Sequence, residues 1–154
     1  ARFRLYHVRD YTAIGAPYGL DTHVPILTSA SDNGYVVTAS SERVDFERYA
    51  WYAFDGMSGD RRWATAEGEN KDCWISLQFP SATICNAVSI MTRNDSYYTE
   101  APAFFCIQAS NGGENWDVLA TKTAEWKQGE QKVFEFDNNT PIYIQISPFS
   151  VVFR

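Results

Sequence analysis

Ala50-Trp-Tyr-Ala-Phe-Asp-Gly56, with Trp63 seven residues further on, decides how this chain folds. Ala50, Ala53 and Phe54 stand at i, i+3 and i+4, the spacing of one short buried helical turn. Asp55-Gly56 ends that turn, because glycine accepts the positive φ of a sharp reversal without a steric penalty. Trp63 then offers a second large ring to pin the reversal. Taken alone, the segment is a structural knot.

On either side of the knot, short apolar or alternating runs predict strands at residues 3–8, 24–28, 35–39, 73–79, 87–92, 104–110, 117–120, 132–136 and 142–147, with 151–153 a further candidate. Asp32-Asn-Gly34, Asn111-Gly-Gly113, Lys127-Gln-Gly129 and Asp137-Asn-Asn-Thr-Pro141 punctuate them as turns. Ile75, Leu77 and Phe79 share one face of their run, opposite Ser76 and Gln78. Phe105, Ile107 and Ala109 likewise oppose Cys106, Gln108 and Ser110. Residues 114–126 also fit helical spacing, but the glycine pair before them favours a strand beginning near Trp116. The pattern is that of an all-β protein, an antiparallel sandwich or barrel. No repeat or linker interrupts it, so residues 1–154 form one domain.

At 154 residues the chain can bury roughly two-thirds of its unfolded surface. Hydrophobic residues at 45% and charged residues at 21% are ordinary for a globular domain. Aromatic residues reach 16%, enough to furnish strands and leave rings for a binding surface. A net charge of −6 argues against a nucleic-acid binder, which needs a basic face. No run approaches the roughly 18 apolar residues of a membrane span, and the start lacks a signal-peptide pattern. Opening on Ala1, the chain is expected to be a fragment of a larger protein. Cys73, Cys85 and Cys106 are odd in number and fall in no metal-binding spacing. They are expected to be free thiols on strands, formed in a reducing compartment, the alternative being one disulfide and one free thiol.

Catalytic signals are missing. His7 belongs to the first expected strand and His23 to a loop, and no nucleophile elbow, zinc-binding helix or phosphate-cradling glycine loop is present. Glu42, Asp45 and Glu47 form an acidic cluster of the kind that usually faces solvent. The chain is therefore not expected to be an enzyme. A glycosidase would need a carboxylate pair across a cleft.

Binding chemistry is better represented. Sugars offer apolar C–H faces and hydroxyls, which aromatic rings and planar hydrogen-bonding groups meet. Residues 42–51, with Arg43, Arg48, Tyr49 and Trp51, and Arg93-Asn-Asp-Ser-Tyr-Tyr98 supply that mixture on expected loops. Trp63, Trp74 and Trp116 are expected as core or rim anchors.

An ordered series of segments now becomes informative. Thr38-Ala-Ser-Ser41, Ala53-Phe-Asp-Gly56, Trp63, Trp74-Ile-Ser-Leu-Gln-Phe79, Arg93, Pro102, Phe105-Cys-Ile-Gln-Ala-Ser-Asn-Gly112 and Trp116 together resemble the discoidin family, the coagulation-factor F5/8 type C domains. These domains are grouped with galactose-binding-like modules. The resemblance spans about residues 28–146 and implies an eight-stranded jelly-roll β-sandwich that binds ligands with loops at one end. It implies hydrogen bonds from Arg93 and Asn94 and stacking on Tyr49, Trp51, Tyr97 or Tyr98; Arg48, from the mixture at residues 42–51, is a further ligand-binding candidate.

Many glycan-binding members also hold a structural calcium ion at the Asp-Gly turn. No cofactor is expected here, but calcium is left open with Asp55 and Asp60 as ligands. The family's threonine before the tryptophan is Arg61 in this chain, and its late glutamate has no match at residues 146–149. The missing terminal cysteine pair favours a bacterial or phage-type module. The implied function is a non-catalytic carbohydrate-binding module for attachment to surface glycans, extracellular or on a virion. The alternative is a structural or protein-interaction domain, such as a phage tail or capsid accessory, whose partners are neighbouring chains. Nucleic acid and membrane insertion are not expected.

Overall fold

The computed structural model describes residues 2–8 and 20–22 as backbone, and residues 25–56, 61–69, 72–81 and 85–138 with their side chains. Nine strands run through them: β1 (Arg2–Val8), β2 (Leu20–Thr22), β3 (Ser31–Asp32), β4 (Tyr35–Ala39), β5 (Ile75–Gln78), β6 (Ala87–Met91), β7 (Phe104–Ala109), β8 (Asp117–Thr123) and β9 (Gln131–Glu135). Their sheets have the orders β2-β1-β6-β9, β3-β4-β5 and β7-β8, and every pairing is antiparallel. Among the described residues the only helical elements are 3-10 turns at Val44–Phe46, Ala50–Phe54 and Ser96–Glu100. This is an all-β fold of antiparallel sheets, as the alternation predicts, and it agrees with the jelly-roll β-sandwich that the resemblance implies. Seven strands have four or more residues and two are shorter. The expected strands at 142–147 and 151–153 lie outside the described residues, as does His23.

One core joins the sheets. Val37 of β4, Ile75 and Leu77 of β5, Val88 and Ile90 of β6, and Phe105 and Ile107 of β7 pack in a single cluster. Fully burying each such side chain stabilises the fold by about 1.5–3 kcal/mol. Ala50, Ala53, Phe54 and Trp63 belong to the same cluster, so the knot is part of the core. Ala50–Phe54 forms the expected helical turn, and Gly56 follows it at φ 67°.

The turns explain the register. Asn33 and Gly34 both take positive φ, 50° and 84°, giving the two-residue hairpin that matches strand twist between β3 and β4. The expected strand at 24–28 does not form in the described residues 25–28. Its backbone donors go elsewhere: Leu27 N–H to the Phe54 carbonyl at 3.2 Å and Thr28 N–H to Asp32 Oδ2 at 2.9 Å. Residues 117–123 are a strand, settling the ambiguous segment, and β8 runs three residues beyond the expected end at 120. Ile107 pairs with Ala120 and Gln108 with Val118, so Leu119 is the extra residue of a bulge, packed against the core.

Two polar residues on the faces opposite the apolar side chains are buried as well. Ser76 is buried with its apolar neighbours, because β5 is covered on both sides at that point, and only Gln78 is exposed. Ser110 is also buried; its Oγ accepts from the Gly112 and Gly113 N–H groups at 3.3 and 2.7 Å and closes the turn. All three cysteines are free thiols, Cys73 and Cys85 buried and Cys106 half-buried. Burial raises the Cys73 pKa, with Glu69 adding to the effect.

Candidate functional site

The first candidate loop leaves β4 through serines that hold its base. Ser40 Oγ accepts from Trp74 N–H at 3.0 Å, Ser41 O accepts from Trp63 Nε1 at 3.0 Å, and Ser41 Oγ accepts from Ala66 N–H at 3.2 Å. Glu42 Oε1 accepts from Ala50 N–H at 2.7 Å, so this carboxylate satisfies the first donor of the knot instead of facing solvent alone. Arg43 and Arg48 form a β-bridge that closes the loop. Within the bridge, Val44 and Phe46 are 58% and 55% exposed at the tip, and the Arg43 guanidinium lies 4.5 Å from the Phe46 ring centre. These two apolar residues escaped the sequence reading, since Asp45 and Glu47 alternate with them and make the stretch look uniformly polar.

Behind the tip, Tyr49 and Trp51 both meet Tyr52 edge-on, at 5.4 and 4.5 Å between ring centres. Tyr52 was also missed. Its ring carries the Arg61 guanidinium at 4.2 Å, and the Trp51 ring lies 5.0 Å from the same group. Arg61 Nε stands 3.0 Å from Asp55 Oδ2.

The second candidate loop follows β6 and rests on the turn between β8 and β9. Thr92 Oγ1 donates to the Lys127 carbonyl at 2.8 Å and accepts from Glu130 N–H at 2.9 Å. Gly129 N–H donates to the Arg93 carbonyl at 2.7 Å. The Arg93 guanidinium grips Asp95 Oδ2 through Nε at 3.1 Å and Nη2 at 2.6 Å, and Glu100 Oε2 through Nη1 at 2.8 Å. Asp95 Oδ1 accepts from Tyr97 N–H at 3.0 Å and caps the Ser96–Glu100 turn. Tyr97, 58% exposed, stacks on Arg93 with its ring centre 4.8 Å from the guanidinium carbon. Tyr98 is half-buried. Asn94 is exposed beside Gln128, whose Nε2 lies 3.4 Å from Asn94 Oδ1.

Electrostatics shapes the second loop. The Arg93 hydrogen bond, foremost, holds the Asp95 carboxyl below the usual aspartate range, and the charge of Arg62 adds to it. Burial works against the charge of Arg93, but Asp95 and Glu100 outweigh it and raise its pKa. Arg93, Tyr97 and Asn94 are thus brought together in one loop, and Tyr49 and Trp51 in the other. Arg48 sits at the closing bridge, its N–H donating to the Arg43 carbonyl at 3.0 Å.

Asp55 does not fit a divalent cation. A calcium ion about 2.4 Å from its Oδ2 would press against the Arg61 guanidinium on the same oxygen. Among the described residues no three His, Cys, Asp or Glu side chains cluster to hold a metal. Asp60 lies outside them.

The fold, the serine-held loop base and the knot all follow one pattern, and the family model for the F5/8 type C domain matches residues 36–152. The chain belongs to the F5/8 type C domain family. Comparison with curated proteins found no match. F5/8 type C domains are non-catalytic binding domains, typically extracellular, that commonly bind carbohydrates or other ligands. No helix among the described residues is long and apolar enough to cross a membrane.

Proposed function

We propose that this F5/8 type C domain is a non-catalytic carbohydrate-binding module that attaches a larger protein or particle to cell-surface glycans, at an extracellular or virion surface. The observation that carries the reading is Tyr97, an exposed ring held rigid by Asp95 below its backbone and Arg93 against one face. A ring fixed in this way loses little freedom when a sugar stacks on its open face. Arg93 serves in this reading chiefly as the brace, since Asp95 and Glu100 already engage its fork. Asn94, with Gln128, supplies planar amide groups that suit sugar hydroxyls. Tyr49 and Trp51, backed by Tyr52, offer further rings on the first loop, and Arg48 and Tyr98 complete the proposed contacts. Single sites of this kind are weak, so attachment gains from several copies.

A glycan array probed with a multivalent form, followed by calorimetric titration, tests the proposal. Binding by the parent and at least a tenfold loss in Tyr97→Ala, with unchanged thermal stability, is the expected result. A parent that binds no saccharide, or a Tyr97→Ala variant that titrates like the parent, refutes it.

A further inference from the structure

Asp55 is only 2% exposed, whereas the Arg61 side chain beside it is 43% exposed. Burying a carboxylate this deeply is costly unless an opposite charge lies beside it. Guanidinium suits that place because it is planar, always charged and more weakly hydrated than an ammonium. Here its Nε approaches Asp55 Oδ2 at 3.0 Å while its Cζ lies 4.2 Å from the Tyr52 ring centre and 5.0 Å from that of Trp51. We infer that Arg61 is a tethered cation standing where a divalent ion would otherwise sit, neutralising Asp55 and fixing the Trp51–Tyr52 pair, so that the fold and its rim are independent of metal. The inference stands apart from the identity of the ligand.

The two arrangements differ in a measurable way. A bound ion stabilises according to its free concentration, whereas a cation on the chain itself cannot be diluted or chelated. Arg61 also does what an ion cannot, because its flat face stacks on rings. Arg61 is in these terms a positioning residue for the aromatic pair.

Thermal unfolding of the whole chain, in EDTA and in millimolar calcium chloride, is the test. The parent's melting temperatures should coincide in the two media. Arg61→Gln should lower the melting temperature by about 4–8 °C, the cost of leaving a buried charge partly uncompensated. Adding Asp55→Asn to Arg61→Gln should restore part of that loss, since the stranded charge is then gone. Arg61→Lys keeps the charge without the flat face, and should fold, ignore calcium and show a weaker near-ultraviolet circular dichroism band. It carries the test if Arg61→Gln does not fold. A parent that melts higher in calcium overturns the inference. So do strictly additive effects of Asp55→Asn and Arg61→Gln, or an Arg61→Lys band equal to the parent's.

Discussion

Substituting alanine for Gly129 should cost the fold and the candidate site about 1 kcal/mol each. Gly129 has φ +65°, where an alanine costs about 1–2 kcal/mol, offset by about 0.4–1 kcal/mol from the stiffer unfolded chain. The net loss, about 1 kcal/mol, corresponds to about 2–4 °C in melting temperature for a domain of this size. The added Cβ would lie 2.9 Å from Asn94 Oδ1, too close to be tolerated without a shift, and a tight 3.2 Å from its Cγ. Asn94 is exposed, so its amide can swing aside at little cost, but it then leaves Gln128. If these amides meet a sugar, losing one hydrogen bond of about 1 kcal/mol weakens binding about fivefold. The side-chain amide resonances of Asn94 and Gln128, recorded alongside a thermal melt and a saccharide titration, separate the effects. Unshifted amide resonances would refute the reasoning, because the steric argument requires Asn94 to move.

Gly34→Ala should be costlier: its Cβ would meet Pro80 Cβ at 2.7 Å, at φ +84°, and a proline ring cannot swing away. A loss of about 2–4 kcal/mol in urea unfolding is expected, and a loss no larger than that of Gly129→Ala would count against it. Trp63→Phe removes the indole donor to the Ser41 carbonyl and should cost about 1–3 kcal/mol by the same assay; a change under about 0.5 kcal/mol would show that this bond is dispensable. Asp95 and Glu130 have folded pKa values below their ordinary ones, lowered mainly by Arg93 and by the Lys127 N–H. Their contribution is complete above the unfolded carboxylate pKa, about 4, and fades as pH falls through the lower folded values. Stability should therefore drop on acidification below pH of about 4, less steeply in Asp95→Asn; an identical acid limb in that variant would remove Asp95 from the explanation.

Local chemistry made much of the fold legible. Asn33-Gly34 demands a two-residue hairpin, the alternation of Phe105, Ile107 and Ala109 marks a buried face, and Ala50–Phe54 with Gly56 forms the turn its spacing dictates. What escaped depends on partners distant in sequence or on competition between donors. Thr28 belongs to Asp32 instead of to a strand, and the Leu119 bulge exists only in the pairing with β7. At the site, Arg93 and the tyrosines could be named from residue type. The commitment of Arg93 to Asp95 and Glu100, and the central place of Tyr52, follow from geometry alone.

The Arg43–Arg48 bridge has a practical meaning. It closes residues 44–47 into a small cycle whose ends are already secured by Ser40, Ser41 and Glu42. Val44 and Phe46 at its tip point away from the core, so exchanging them removes no buried contact. The tip is therefore a natural cassette, a place where foreign peptides can be grafted and screened while the sandwich beneath keeps its shape.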